Sequence, residues 1–245
     1  MLVDAHNHLG GPDKGDGKSQ SPDEILAAMD SLGIERAVVF PFNEEDPGVS
    51  FSRCNDYIAA AVKAHPDRLI GFCRLDPNFG ERAVRELERS ARELGLRGIK
   101  LHPTSQNFYL DNPWLSELLA VAAELNMPVV FDTCKKMSHP SRIAKLAAEY
   151  PTLKIIMAHI SLLDESIAAA KAASNIYLGT TGYFNLKWLA RAVKEVGARR
   201  FISGSDSPYI QMGREVEKIR EIPGISPDEV KMISGGNFAR VFGRF

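Results

Sequence analysis

The stretch that decides the fold runs from Leu69 to Pro103 and reads LIGFCRLDPNFGERAVRELERSARELGLRGIKLHP. It opens with an apolar segment, Leu69–Leu75, and closes with a second one, Gly98–Leu101. Between them, Glu81–Leu94 carries apolar residues at helical spacing among Arg and Glu, which predicts an amphipathic helix. A strand, a helix and a second strand in this order predict a βαβ unit with parallel strands.

The same alternation of short apolar segments and amphipathic stretches continues over the rest of the chain. The eight predicted strands are Leu2–Ala5, Ala37–Pro41, Leu69–Leu75, Gly98–Leu101, Pro128–Thr133, Lys154–Ala158, Ile176–Gly179 and Phe201–Ser203. Almost wholly apolar strands are typical of parallel sheets that are covered on both faces. Eightfold alternation within 245 residues therefore predicts an α/β fold, a single-domain (β/α)₈ TIM barrel over residues 1–245.

An open, doubly wound sheet is the structural alternative. Such sheets often carry a Gly-rich phosphate loop between the first strand and the first helix. Here Gly10-Gly11-Pro12 leads instead into a long polar loop, residues 10–20, which favours the barrel. Because this loop follows the first strand, we expect it on the catalytic face.

Composition and charge exclude several classes of protein. Thirty basic and 31 acidic residues give a net charge of −1, so no basic face for nucleic acid is expected. No apolar run approaches the roughly 18 residues of a membrane span, and no signal peptide is recognisable. Three cysteines without CxxC spacing suit a reducing compartment. We therefore expect a cytoplasmic protein that binds a small molecule, with a homodimer left open.

The strongest chemical signal is the segment Asp4-Ala5-His6-Asn7-His8. Side chains alternate along a strand, so His6 and His8 point to the same side. At the end of the first barrel strand that side is the barrel mouth, where two imidazoles can share one metal ion. The alternative is two unrelated loop histidines.

Polar residues also follow the other predicted strands. They are Arg74 after the third strand, Lys100 and His102 after the fourth, and Asp132, His159 and Asp206 after the fifth, sixth and eighth. Because the carboxyl ends of barrel strands build the active site, we expect these side chains to converge. The alternatives are an N-cap for Asp206, a satisfied strand end for His159 and an ion-pair partner for Lys100.

Five segments together resemble the amidohydrolase-related branch of the amidohydrolase superfamily. They are Leu2–Leu9, Phe72–Pro77, Gly98–Pro103, Ile156–His159 and Gly204–Tyr209, and their order and spacing match over almost the whole chain. The resemblance implies a (β/α)₈ barrel with a mononuclear, usually zinc, site. It also implies either hydrolysis of amides and lactones or decarboxylation of aromatic and related carboxylic acids.

The resemblance assigns roles to these positions. His6 and His8 would be metal ligands. Asp206 would bind the metal or its water and act as a general base, and His159 would polarise the substrate or the water. Lys100 stands where some superfamily members carry a carboxylated lysine that bridges two metals, a bridge that this branch usually lacks.

Asp132 departs from the family, because many members have a metal-binding histidine where the fifth strand ends. A carboxylate adds a negative charge beside the ion, so with Asp206 the predicted ligand set is His6, His8, Asp132 and Asp206. Two carboxylates make the set harder, so Mn²⁺ becomes an option beside Zn²⁺. The alternatives are that Asp132 does not bind the metal or that His139, in the same loop, replaces it.

We therefore expect a metal-dependent hydrolase that attacks a small amide, lactone or ester with a metal-activated water. In this hypothesis Asp206 takes the proton of the water and His159 stabilises the oxyanion. Lys100, His102 and Arg74 would bind the substrate. Two alternatives remain: a metal-dependent, non-oxidative decarboxylase of a small carboxylic acid, and a degenerate barrel that binds a ligand without turnover.

Overall fold

Parallel strands alternate with helices along residues 1–243, the part of the chain that the computed structural model describes. The strands are β1 (Val3–Leu9), β2 (Arg36–Pro41), β3 (Leu69–Gly71), β4 (Cys73–Arg74), β5 (Ile99–Leu101), β6 (Val129–Asp132), β7 (Ile155–Ala158), β8 (Ile176–Gly179) and β9 (Phe201–Ile202). Each strand pairs with the next in two sheets, β1–β3 and β4–β9.

The two sheets join through Phe72, which separates β3 from β4. The Phe72 amide donates to the Val39 carbonyl (2.9 Å), whereas the next amide, of Cys73, donates to the Gly98 carbonyl (2.9 Å). The chain thus changes its hydrogen-bonding neighbour from β2 to β5 within one residue. β3 and β4 together form the third predicted strand, so the sheet has eight strand positions.

The ring closes between β1 and the segment that follows β9. The amides of Ala5 and His8 donate to the carbonyls of Ser203 (2.9 Å) and Ser207 (2.8 Å). A closed ring of eight parallel strand positions with intervening helices is a (β/α)₈ barrel, and the predicted fold is confirmed.

Helices follow the strands and cover the barrel. They are α1 (Pro22–Leu32), α2 (Ser52–Ala64), α3 (Glu81–Arg92), α4 (Pro103–Gln106), α5 (Pro113–Glu124), α6 (Pro140–Glu149), α7 (Leu163–Ala172), α8 (Leu186–Val196), α9 (Met212–Arg220), α10 (Pro227–Lys231) and α11 (Asn237–Phe242). The start of α1 shows how sequence sets a boundary. The Ser21 hydroxyl accepts from the Glu24 amide, and the Glu24 carboxylate accepts from the Ser21 amide, so a capping box satisfies the first turn.

The interior of the barrel divides into an apolar layer and a polar mouth. Val38, Ile70 and Ile156 belong to a buried apolar cluster that also includes Phe238 of α11. At the carboxyl end of the strands the buried side chains are polar, among them Lys100. The apolar layer supports the site from below, because interior side chains of such barrels pack in layers. Within residues 1–243, every helix is too short or too polar to traverse a bilayer.

Candidate active site

The two histidines of β1 face a single carboxylate across the barrel mouth. The Nε2 atoms of His6 and His8 each lie 3.3 Å from Oδ1 of Asp206. Both rings pack edge-on against Phe40, with ring centroids 4.8 Å apart. The alternation along β1 thus gives the two imidazoles one common target.

The loop after β9 places Asp206 opposite these histidines. Its amide donates to the His6 carbonyl (2.8 Å), and its φ of 74° is left-handed, which is uncommon for a residue other than glycine. Left-handed backbone of this kind recurs at functional sites, where the surrounding contacts hold it in place. Oδ1 of Asp206 is buried and has no hydrogen-bond partner among the described residues.

The protonation of this group suits metal binding. Burial raises the pKa of Asp206, but the imidazoles of His6 and His8, each 3.3 Å from Oδ1, outweigh this effect and hold the pKa well below its usual range. Burial lowers the pKa of both histidines, and Lys100 lowers that of His6 further. An anionic carboxylate and neutral imidazoles are the forms in which these side chains bind divalent ions.

His159 completes the arrangement. It follows β7, has a left-handed φ of 59°, and places Nε2 3.9 Å from Oδ2 of Asp206. Ligand atoms of His6, His159 and Asp206 all lie within 4.8 Å of one another. Bonds between a metal ion and N or O ligands are about 2.0–2.2 Å long, so two ligands of one ion are up to about 4.4 Å apart. The distances between these ligand atoms are therefore close to those around a single metal ion.

Asp132 lies at the end of β6 and forms a separate cluster. Its Oδ1 is 2.7 Å from Nζ of Lys135, and its Oδ2 is 3.1 Å from Nε2 of His102 and 3.3 Å from Nε2 of His159. Burial raises the pKa of Asp132, but these neighbours and Lys100 lower it well below its usual range. The group within 4.8 Å contains neither Asp132 nor His8: Asp132 contacts it through His159, and His8 contacts it through Asp206.

His102 is held by the helix that follows it. It is the N-cap of α4, and its Nδ1 accepts from the Ser105 amide (3.1 Å). The ring hydrogen of the neutral form is therefore on Nε2, which faces Asp132. Burial lowers the pKa of His102 to about 3. His139 is likewise an N-cap, of α6, where its Nδ1 accepts from the Ser141 amide, so it serves the helix and not the metal cluster.

Lys100 and Arg74 are buried cations beneath and beside the clusters. Nζ of Lys100 lies 3.0 Å from Nε2 of His6 and 4.8 Å from the centroid of the Phe40 ring. Burial lowers the pKa of Lys100 to about 8, although Asp132 and Asp206 raise it. Arg74 donates to the Pro41 carbonyl and to the Ser105 hydroxyl.

A cavity of about 510 Å³ opens above these clusters. Six predicted site residues line it: His8, Arg74, His102, Asp132, His159 and Asp206. Lys135, Ser105 and Tyr209 also line it, as do Asp13 and Lys14. The last two belong to the loop of residues 10–20, which was expected on this face. Lys135 was missed, because a lysine three residues beyond a strand resembles any exposed loop lysine.

The family model described as Amidohydrolase matches residues 3–244. γ-Resorcylate decarboxylase from Polaromonas sp. strain JS666 is 25% identical over 245 residues, which span 78% of this chain and 75% of that one. The enzyme of the same name from Rhizobium sp. strain MTP-10005 is 22% identical, over 90% of this chain and 86% of that one.

Solved structures with the same fold include a dihydroxybenzoic acid decarboxylase from Polaromonas sp. JS666, with bound manganese and 2-nitroresorcinol. Its TM-score is 0.78 at 22% identity, with 98% of this chain and 96% of that one covered. The 5-carboxyvanillate decarboxylase from Sphingomonas paucimobilis has a TM-score of 0.76 at 21% identity, with 98% of each chain covered. At this identity the structures show the common fold.

The comparisons correct the expected activity. The sequence was expected to encode a hydrolase of amides, lactones or esters, and that expectation is wrong: the relatives with a named activity described above are decarboxylases. The two activities share one scaffold and the same motifs, so the motifs on which the expectation rested could not separate them.

Proposed function

The chain belongs to the amidohydrolase family, and on that premise we propose that it is a metal-dependent, non-oxidative decarboxylase of a small carboxylic acid. The observation that carries the proposal is the cluster of His6, His159 and Asp206 at the barrel mouth, in a chain similar to γ-resorcylate decarboxylases.

The residues present fit a divalent metal ion. Asp206 offers a buried oxygen without a hydrogen bond, and two uncharged imidazoles of β1 lie 3.3 Å from it. We assign His6, His8 and Asp206 to the ion, because both β1 imidazoles face the same oxygen of Asp206, and we keep His159, which is 3.9 Å from the other oxygen, for the proton transfer. Imidazole and carboxylate ligands accept Mn²⁺ as well as Zn²⁺. A bound ion would supply positive charge that holds the substrate carboxylate and stabilises negative charge formed in the reaction.

The reaction itself consumes one proton, which a side chain can donate and then regain from solvent. Decarboxylation breaks the bond between the substrate carbon and its carboxylate, CO₂ leaves, and the electron pair that stays on the carbon takes up a proton. We assign the donation of this proton to Nε2 of His159. This imidazole lines the cavity and is more exposed than the three residues assigned to the ion.

Asp132 and Asp206 prepare His159 for that role. Nε2 of His159 lies 3.3 Å from a carboxylate oxygen of Asp132 and 3.9 Å from one of Asp206. Burial lowers the pKa of His159, and the two carboxylates raise it. The net effect is a lowered pKa, which favours release of a proton from Nε2, and the two carboxylates limit this decrease and orient Nε2. The cation of Lys100, below the cluster, offsets part of their negative charge.

The proposal is tested with protein loaded with Mn²⁺ and, separately, with Zn²⁺. Incubation with 2,6-dihydroxybenzoate, other ortho-hydroxybenzoates and small dicarboxylic acids should release CO₂ and the decarboxylated product from at least one acid, as measured by a coupled CO₂ assay and by NMR. His159→Asn should lower the rate by about 100-fold or more while the metal content stays the same.

His139→Asn is the matched control, since asparagine also caps helices and His139 lies outside the cluster. It should leave the rate within a few-fold of wild type. Failure of the metal-loaded protein to release CO₂ from any acid of the panel would overturn the proposal.

A further inference from the structure

Arg74 is a buried cation without a carboxylate partner. Its residue is 1% exposed, and no carboxylate oxygen lies within 4.0 Å of its guanidinium nitrogens among residues 1–243. Two other buried charges are paired, Lys218 with Glu215 and Asp132 with Lys135, whereas Lys100 contacts an imidazole, that of His6. Burial of a charge is costly unless it is paired and hydrogen-bonded, and Asp13 and Asp132 act on Arg74 only from beyond 4.0 Å, so an anion bound directly to the guanidinium would stabilise it.

The hydrogen bonds of the guanidinium leave donors free. An arginine has five N–H donors. Nη1 of Arg74 donates to the Pro41 carbonyl (3.3 Å) and Nη2 to the Ser105 hydroxyl (2.9 Å). Nε is buried and has no partner among the described residues. Three N–H groups are thus left, and they suit a carboxylate, which arginine binds with two parallel hydrogen bonds.

The surrounding structure fixes this cation in the cavity wall. The backbone of Arg74 is held from both sides by Asn55, whose amide oxygen accepts from the Arg74 N–H (2.9 Å) and whose amide nitrogen donates to the Arg74 carbonyl (3.1 Å). The guanidinium lies 5.0 Å from the ring of Phe51 and lines the cavity above the candidate metal cluster. Burial lowers the pKa of Arg74 to about 10, so the group remains charged at neutral pH.

The position of Arg74 separates it from the carboxylate that is lost. Its partners lie at the end of β2 (Pro41) and in the helix after β5 (Ser105), whereas the metal cluster is built by β1 and by the segments after β7 and β9. A substrate whose reacting carboxylate lies at the cluster would therefore present another part of its structure to Arg74.

We infer that Arg74 binds a second carboxylate of the substrate, so that the substrate class is a small dicarboxylic acid. This inference rests on the proposed function in one respect only: the carboxylate at the metal cluster is the one that is lost as CO₂. Lys14 and Lys135 line the same cavity, and so do four aspartates, so the free donors of Arg74, and not an overall positive charge, would select the second carboxylate. A substrate with a single carboxylate would leave the guanidinium without an anion.

The experiment measures binding of two matched probes, benzoate and isophthalate, to Mn²⁺-loaded protein by isothermal titration calorimetry. The affinity of wild type for isophthalate should exceed its affinity for benzoate by about tenfold or more. Arg74→Met should abolish this preference and leave the affinity for benzoate within a few-fold. Arg74→Lys, which retains the charge but loses the fork of donors, should restore part of the preference.

Ser105→Ala provides a second variant in case Arg74→Met does not fold. Removal of the hydroxyl that orients Nη2 should reduce the preference for isophthalate a few-fold without a change in metal content. Equal affinities of wild type for the two probes, or a preference that survives both Arg74→Met and Ser105→Ala, would overturn the inference.

Binding requires no turnover, so the two proposals fail separately. A preference for isophthalate without CO₂ release from any acid would reject the decarboxylase and support the role of Arg74. CO₂ release without the preference would reject the role of Arg74 and leave the decarboxylase standing.

Discussion

Two buried carboxylates at the barrel mouth, Asp206 and Asp132, have different partners. Both have a pKa well below the usual range, and both contact His159. Oδ1 of Asp132 has the ammonium of Lys135 at 2.7 Å, whereas no lysine or arginine nitrogen lies within 4.0 Å of Asp206 among the described residues. Asp206 faces uncharged imidazoles and so requires a cation from outside, whereas Asp132 already has one.

This difference explains how an aspartate can stand where many family members have a metal-binding histidine. The pair of Asp132 and Lys135 carries no net charge, and neither does the neutral imidazole that it replaces. We therefore infer that the second carboxylate need not change the charge around the ion. Its place in the structure is beside His102 and His159, which it orients.

The largest effect is expected from Asp206→Asn. An amide in place of the carboxylate removes the anion that faces His6 and His8, so we expect loss of bound metal and a decrease in CO₂ release on the order of a thousandfold. Metal content by mass spectrometry and the CO₂ assay measure the two losses. Asp164→Asn, at an exposed carboxylate that pairs with Arg191, is the control and should keep both. Full metal content in Asp206→Asn would contradict the assignment of Asp206.

Metal removal should distinguish the two carboxylates by stability. A ligand that binds only the folded state at 100 times its Kd stabilises it by about 2.7 kcal/mol, which corresponds to roughly 5–10 °C in Tm for a chain of this size. We expect Mn²⁺ to raise the Tm of metal-free wild type by this amount, to raise that of Asp132→Asn similarly, and to leave that of Asp206→Asn unchanged. Differential scanning calorimetry measures all three. If Asp132→Asn alone lost the increase, the roles of the two carboxylates would be reversed.

Asp132→Asn should affect the reaction more than the metal. Without the carboxylate, Nε2 of His159 loses its neighbour at 3.3 Å and Lys135 loses its ion pair. We expect a decrease in kcat of about 10–100-fold, the size typical of groups that orient a metal-site residue, with metal content unchanged. Asp132→Glu keeps the charge and should recover part of the rate if orientation of His159 is the role. A variant that released its metal would identify Asp132 as a ligand.

The sequence predicted the barrel because that information is local and repeated. Each strand is a short apolar segment, and each helix has its own pattern and, at α1 and α10, a capping box. The patterns could not show that Phe72 divides the third strand, since an apolar residue fits either neighbour. Nor could they show that β1 continues to Leu9, which places His6 and His8 within the strand.

The contacts between side chains of the site were harder to predict, because they depend on backbone conformations that cannot be inferred from residue type. His159 and Asp206 are both left-handed, with φ of 59° and 74°, and these turns direct their side chains into the mouth. Cys134 is left-handed as well, with φ of 63°, at the bend between Asp132 and Lys135. The sequence placed the candidate residues at the strand ends, whereas the pairing of Asp132 with Lys135 depends on that bend.

The smallest effect is expected from Lys135→Met. This variant tests whether Asp132 needs its ion pair with Lys135 in order to orient His159. The side chain of Lys135 is 42% exposed, so solvent screens its charge and the ion pair is expected to contribute about 1 kcal/mol or less. Because His102 and His159 still contact the carboxylate, kcat should fall by less than about fivefold. Metal content should be unchanged. If the Lys135→Met protein bound an additional equivalent of Mn²⁺, Asp132 without its ion pair would bind a metal ion, as we propose for Asp206.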